Sequence, residues 1–360
     1  MSEQADTPRR YWTILQPMPA DMLTMAAKAA EAAGVHGIFA PQVYGPPFVT
    51  LGAVAAVTER VQLASGIAIA AVRSPFETAM AALDLDRISG GRFTLGLGTS
   101  VHAWTTGVFG MPRDKPVTHL RETIAAIRHI VAGAHKGLEP FEGEYYRADF
   151  RELQPGQPPV RERIPIWVAA LRIKLVELAA ECGDGLIGHP MWSRHWALEE
   201  MKPAVEAKLA EAGRQREDIE VNLWPWAAPN PDEAEAIDDA RPTMAFYGGV
   251  KQYEPFFEAH GFGNVARKLQ EGVQRGDYKS VAHLVPDEMV RAFVAVGPHE
   301  KIREQVEPFW DFADSLCVVP PVYTLPPEKL LYYTQAIAQT FYGLRRRAAA
   351  GYGARLRSSA

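Results

Sequence analysis

The sequence predicts an α/β protein of the (β/α)8 barrel class, and three observations carry that expectation. Short apolar runs alternate with longer helical patterns eight times along 360 residues. Nearly pure alternation of strand and helix implies parallel strands with right-handed crossovers, and eight units suit a closed barrel. Two stretches break the rhythm, residues 134–163 and 231–298. In a barrel such insertions after strands belong to the C-terminal face, where they wall the active site.

The elements follow in order. "YWTILQ" (11–16) reads as a strand, after which Pro19 and Asp21 open an Ala-rich helix that Gly34 closes. "HGIFA" (36–40) precedes a helix from about Val49 to Glu59, and "VQLASGIAIA" (61–70) precedes one that Ser74-Pro75 starts and that runs to Ile88. "GRFTLGLG" (91–98) leads to a helix over about Lys115–Ala132. "IPIWVAA" (164–170) leads to helix 172–182, and "DGLIG" (184–188) to helix 195–212. "IEVNLWPW" (219–226) begins the last part, and "SLCVVP" (315–320) precedes a helix from Pro327 to Phe341. Residues 134–163 are rich in Gly, Pro and aromatics, an excursion over the surface, whereas 231–298 look helical. The expected organisation is one barrel domain over 1–343 and a flexible tail over 344–360, which holds Arg345, Arg346, Arg347, Arg355 and Arg357.

Composition narrows the function classes. Apolar residues make up 47% and charged residues 22%, ordinary for a soluble protein with a large core. A net charge of −5 provides no basic field for nucleic acid or an anionic membrane. Cys182 and Cys317 are the only cysteines, which argues against a disulfide framework or a Cys-ligated zinc and fits a reducing cytoplasm. "MSEQADTPRRYW" has no apolar core for a signal peptide, and Thr58-Glu59-Arg60 interrupt the most apolar stretch. The histidines lack metal-binding spacing, so no metal site is expected.

The chemistry concentrates at strand ends. Gly96 and Gly98 match two positions of a Gly-x-Gly-x-x-Gly dinucleotide loop, but the third position is Val101 and the run is the fourth strand. Ser65 and Gly66 sit inside an apolar run, where glycine marks a bulge or a close backbone approach. In "AALRIK" (169–174) a strand end meets a helix start, whose free N–H groups, supplemented by Arg172, form a ready anion site. Together these ends suit an extended, phosphate-bearing cofactor. His189 and Trp192, after "GDGLIG", either face the pocket or pack in a loop.

"RSPFETAMAALDLDRISGGRFTLGLGTSV" and "IPIWVAALRIKLVELAAECGDGLIGHP" carry a resemblance to the bacterial luciferase-like flavin and deazaflavin oxidoreductases. The resemblance runs from about Trp12 to Phe341. "LGLGTSVHAW", "EGEYYR" and "AFYGGVKQYEPFFEAHGFG" are most similar to the coenzyme F420-dependent branch. The resemblance implies a luciferase-like barrel holding a flavin-like ring at its C-terminal mouth. It implies a cis peptide at Gly66-Ile67, with Ser65 and Ala68 beside it, and a phosphate site at Ala170, Leu171 and Arg172. Gly98, Thr99 and Ser100 would line the ring or its ribityl chain, with His189 at the next strand end. The chain departs from the pattern where relatives keep an Asp-His pair and a glutamate, reading Pro41-Gln42 and Val101-His102 instead. His102 then either donates a proton or only hydrogen-bonds the cofactor or a loop carbonyl. Gln42 is restricted to hydrogen bonding, to the ring or a substrate carbonyl.

The function this implies is hydride transfer between F420 and an organic, largely apolar small molecule. The alternatives are an FMN-dependent monooxygenase, served by a partner flavin reductase, and a cofactor-binding barrel without efficient catalysis. A homodimer is plausible, because barrels of this family commonly pair through outer helices.

Overall fold

The computed structural model describes residues 9–112, 114–273 and 278–342; the tail expected over 344–360 lies outside them. Eight parallel strands form a ring: β1 (Arg10–Ile14), β2 (Gly37–Ala40), β3 (Gln62–Ser65, resuming at Ala68–Ile69), β4 (Phe93–Gly98), β5 (Ile166–Ala170), β6 (Gly185–Gly188), β7 (Glu220–Leu223) and β8 (Ser315–Leu316). Their order around the sheet is β3-β2-β1-β8-β7-β6-β5-β4, and β4 pairs back onto β3, which closes the barrel.

By packing, the chain divides into two compact units. The first takes Trp12–Gly188 and Pro203–Asn222. Its helices are α1 (Ala20–Ala32), α2 (Pro47–Ala55), α3 (Pro75–Ser89), α4 (Pro116–Gly133), α5 (Ile173–Cys182) and most of α6 (Lys202–Glu211). Serine 74 caps α3 by accepting from the Glu77 N–H, and Gly90 ends it in the left-handed conformation, as the Ser-Pro and Gly-Gly signals predict. Strand spacing leaves room inside the barrel for large rings. Trp12 packs on Phe39 at 4.4 Å and on Trp167 at 5.3 Å between ring centroids. Gly37 and Gly185 face these two tryptophans, and a Cβ on either would lie within 2.4 Å of an indole.

The excursion at 134–163 is pinned rather than loose. It carries a short hairpin, Phe141–Glu142 with Arg147–Ala148, whose turn is held by Glu122 of α4 accepting the N–H groups of Glu144, Tyr145 and Tyr146. Its end is tied down by Arg161, which forks onto the buried Asp86 carboxylate at 3.1 and 2.7 Å.

The second unit holds the described residues up to Tyr11, His189–Lys202 and the described chain from Leu223 on, with α7 (Glu233–Gly248), α8 (Glu254–Ala259), α9 (Gly263–Val273), α10 (Asp287–Phe293), α11 (His299–Val306) and α12 (Pro327–Phe341). Two expectations need correction here. The run 219–226 is not one strand: β7 stops at Leu223, and a separate strand, Trp226–Pro229, follows Pro225, which has no N–H to give to a ladder. Nor are residues 231–298 wholly helical, because Val294–Gly297 pairs in parallel with Trp226–Pro229. The apolar run "FVAV" fits a helix continuation and a buried strand equally well, so periodicity alone does not separate them. Helix 195–212 begins with a π-helical turn over Trp196–Met201, and α2 starts at Pro47, two residues ahead of its expected Val49. Among the described residues, no helix is long and apolar enough to cross a membrane.

Candidate active site at the strand ends

Strand β3 pairs with β4 twice, on either side of an interruption. Ala64 stands opposite Thr94 and Ala68 opposite Leu97, so β3 uses four steps where β4 uses three. Such an extra residue is a bulge. At the interruption the Gly66-Ile67 bond is cis, where the resemblance places one. Ser65, fully buried, bridges the gap with its hydroxyl, donating to Gly96 O at 2.8 Å and accepting from Gly96 N–H at 2.9 Å.

This geometry revises what the glycines do. A Cβ at Gly96 would lie 1.9 Å from Ser65 O, and one at Gly98 would lie 2.7 Å from Ile67 Cδ1. The space that both glycines leave is taken by the bulged strand itself, so they let β3 and β4 approach. Beyond Gly98, Ser100 adopts φ +55° and the chain turns into a wide helical turn over Ala103–Val108. Thr105, fully buried there, donates to Thr99 O at 3.0 Å and fixes that turn against the strand end.

Gln42, after β2, holds the far side of the bulge. Its N–H donates to Ile67 O at 3.2 Å, and its Oε1 accepts from Ile69 N–H at 2.9 Å and from Arg73 Nη2 at 2.8 Å. The carbonyl end of Gln42 is therefore already engaged, and only its amide nitrogen is left to meet a ligand. Tyr44, two residues after Gln42, is largely exposed, and its ring lies 5.6 Å from that of Trp104.

His102 is exposed, and its hydrogen-bond partner is Thr106, at 3.4 Å from Nδ1. The structure does not join it to Gln42 by a hydrogen bond. A different histidine lines the small cleft at this end of the barrel. His119, on the first turn of α4, shares that cleft with Ala70, Ala71, Thr99, Thr105 and Asp114. It stacks on Tyr145 at 4.7 Å, and burial lowers its pKa below the ordinary imidazole value, against the opposing pull of Glu122. Sequence reading passed over His119 because nothing in its neighbours distinguishes it from a histidine on any amphipathic helix.

At the end of β5, Ala170 is buried, Leu171 half-buried and Arg172 exposed. Arg172 occupies the N-cap of α5, whose first turn contains no acidic residue and whose Lys174 is also exposed. The free N–H groups of that turn and the two cations favour an anion. His189, after β6, is set in an aromatic nest. Its Nδ1 accepts from Met191 N–H at 3.1 Å, so the proton of the neutral ring is on Nε2, 3.4 Å from Tyr253 Oη. Tyr247 and Tyr253 pack on the ring at 5.7 and 5.2 Å, and burial lowers the His189 pKa to about 3. His189 is thus a neutral ring at physiological pH. Trp192, whose N–H donates to His189 O, is buried in the same turn.

The residues fit a flavin-like group. Gly66, Thr99 and Ser100 are half-buried at two adjacent strand ends where Ala68 and Gly98 are buried, Gln42 offers a donor beside them, and α5 offers an anion site after the next strand, β5.

The family model for luciferase-like monooxygenases matches residues 5–312. A Mycobacterium tuberculosis protein, provisionally described as a coenzyme F420-dependent oxidoreductase, is 31% identical over 326 residues, covering 86% of this chain and 92% of its own. The 5,10-methylenetetrahydromethanopterin reductase of Archaeoglobus fulgidus is 30% identical over 260 residues, covering 69% and 73%. Among solved structures, the coenzyme F420-dependent tetrahydromethanopterin reductase of Methanopyrus kandleri superposes with a TM-score of 0.74 at 23% identity, covering 94% of this chain and 99% of that one.

Proposed function

The chain belongs to the luciferase-like monooxygenase family, and from that premise we propose that it is a coenzyme F420-dependent oxidoreductase. The observation that carries this reading is the relative described as F420-dependent, which aligns over most of both chains. The donor chemistry at the mouth of the barrel supports it.

When bound, the deazaflavin supplies a hydride donor or acceptor with little oxygen chemistry. The chain's own residues supply the rest. The α5 N-terminus with Arg172, Ala170 and Leu171 would hold the phosphate. The end of β3 from Ser65 to Ala68 and the end of β4 at Gly98, Thr99 and Ser100 would hold the ring. Gln42 would offer its amide nitrogen to a ring or substrate oxygen. Rigid strand ends hold these groups in place before the ligand arrives, which is how a barrel lowers the entropic cost of bringing two reactants together. The substrate is an organic small molecule.

The family also contains FMN monooxygenases, so the deciding experiment is a paired titration of the purified protein with F420 and with FMN, followed by cofactor fluorescence. Tight F420 binding and weak FMN binding are expected. Tight FMN binding with none for F420 overturns the proposal in favour of a monooxygenase that works with a flavin reductase. Binding of F420 without turnover on any hydride acceptor or donor would leave a binding barrel.

A further inference from the structure

Arg73 follows the 3-10 turn Ala70–Val72 that ends β3, and its guanidinium is nearly unemployed. Of its five N–H donors one is used, from Nη2 to Gln42 Oε1, and Nε is buried with no partner. Among the described residues, no carboxylate lies within 4 Å of it. The charge rests on the face of Phe48, 5.3 Å from the ring centroid, and burial lowers its pKa while Glu77 acts only at longer range.

Of the other half-buried arginines of this unit, Arg128 also leaves Nε without a partner but pairs with Asp184, and two more are engaged. Arg92 uses all five donors, on Ser89 O, Thr58 Oγ1, Val61 O, Ala55 O and Thr58 O. Arg161 is forked onto Asp86. A half-buried cation without a counter-charge is costly, so the fold leaves one this way where a ligand completes it.

Gln42 completes the argument. Its Oε1 accepts from two groups that are only donors, Ile69 N–H and Arg73 Nη2, which fixes the amide orientation without ambiguity. Its Nε2 donors therefore face elsewhere, and they have no partner among the described residues. Side by side, Gln42 Nε2 and the guanidinium form a set of donors with no acceptor left over. Such a set accepts oxygen lone pairs and rejects cations.

We propose that Gln42 and Arg73 form a receptor for one oxyanion of the bound ligand at the C-terminal end of β3. The cofactor phosphate is already assigned to α5 in the reading above, on which this part rests, so the expected source is a carboxylate carried by the organic substrate. An aromatic carboxylate suits the surroundings, because Phe48 lies under the guanidinium.

The test uses the ligand-free full-length protein. Sodium benzoate and, separately, inorganic phosphate are titrated at constant ionic strength, following intrinsic fluorescence and the unfolding midpoint. The decisive variant is Gln42→Glu, which keeps an acceptor for Ile69 N–H and gives Arg73 an internal partner, so it should fold while losing the site. Benzoate binding weakened about tenfold or more in Gln42→Glu and in Arg73→Gln, but kept in Arg172→Gln, supports a substrate carboxylate. The same pattern with phosphate alone supports the receptor with phosphate as its occupant. Unchanged binding in Gln42→Glu and Arg73→Gln, or no binding of either anion by the wild type, overturns the proposal. Loss of F420 binding in the separate cofactor titration leaves this result untouched, so the two readings fail independently.

Discussion

Ser65 and Gly96 exchange two hydrogen bonds through a single hydroxyl, and the glycine has no room for a side chain on that side. Gly96→Ala must push a Cβ into Ser65 O, a backbone atom that moves only if β3 moves. It should destabilise by about 3 kcal/mol or more, or fail to fold. Gly98→Ala meets the far end of the Ile67 side chain at 2.7 Å and Ala169 Cβ at 3.3 Å, and should cost about 1 kcal/mol. Urea unfolding ranks the two; equal costs would mean the strand approach is softer than the structure shows.

Acid sensitivity should trace in part to His189. Its folded pKa, about 3, lies below the unfolded imidazole value near 6.5, so the unfolded chain binds the extra proton first. The stabilising contribution is complete above about pH 6.5 and shrinks as pH falls toward 3. Between pH 7 and pH 5 the loss is about 2 kcal/mol. His189→Gln cannot take up the proton and should lose that share of the pH dependence. An identical slope in wild type and variant would show that some other group is responsible.

The two histidines near β4 should behave differently. His102 is exposed and bonded to Thr106, so His102→Ala should keep turnover within about tenfold and leave cofactor affinity unchanged. His119 lines the cleft with Thr99, and its substitution should alter the acid limb of the pH–rate profile, which lies below the usual imidazole value. A loss of about a hundredfold or more in His102→Ala, with normal cofactor binding, would restore His102 as the proton donor.

Arg172 is exposed, and the α5 amides are expected to do most of the phosphate binding. Arg172→Gln should weaken F420 binding by about fivefold or less, with the effect fading at high salt. A loss near a hundredfold would make the side chain the principal anchor.

The barrel was legible because strand and helix periods differ, and eight alternations leave few topologies. The ends of α3 could be read off Ser74-Pro75 and Gly90-Gly91, since those residues have one conformational use each. Val294–Gly297 was not legible, because a short buried run has the same composition in either state. Gln42 was picked out by its departure from a family pattern, but the direction of its amide depends on Ile69 and Arg73, which are distant in sequence. Arg73 itself resembles any solvated arginine before a helix. That its donors go unused is a fact about distances between strands, and no spacing in the chain encodes it.

The extra residue in β3 also has a consequence for the barrel's geometry. A strand that gains one residue changes the parity of every side chain beyond it, so inward and outward positions trade places partway along. The rule that separates lining from exterior therefore applies to β3 in two halves with opposite phase. Removing a single residue between Ser65 and Ala68 would make the steps on β3 and β4 equal, so Ala68 would keep its place opposite Leu97 and only the bulge would be lost.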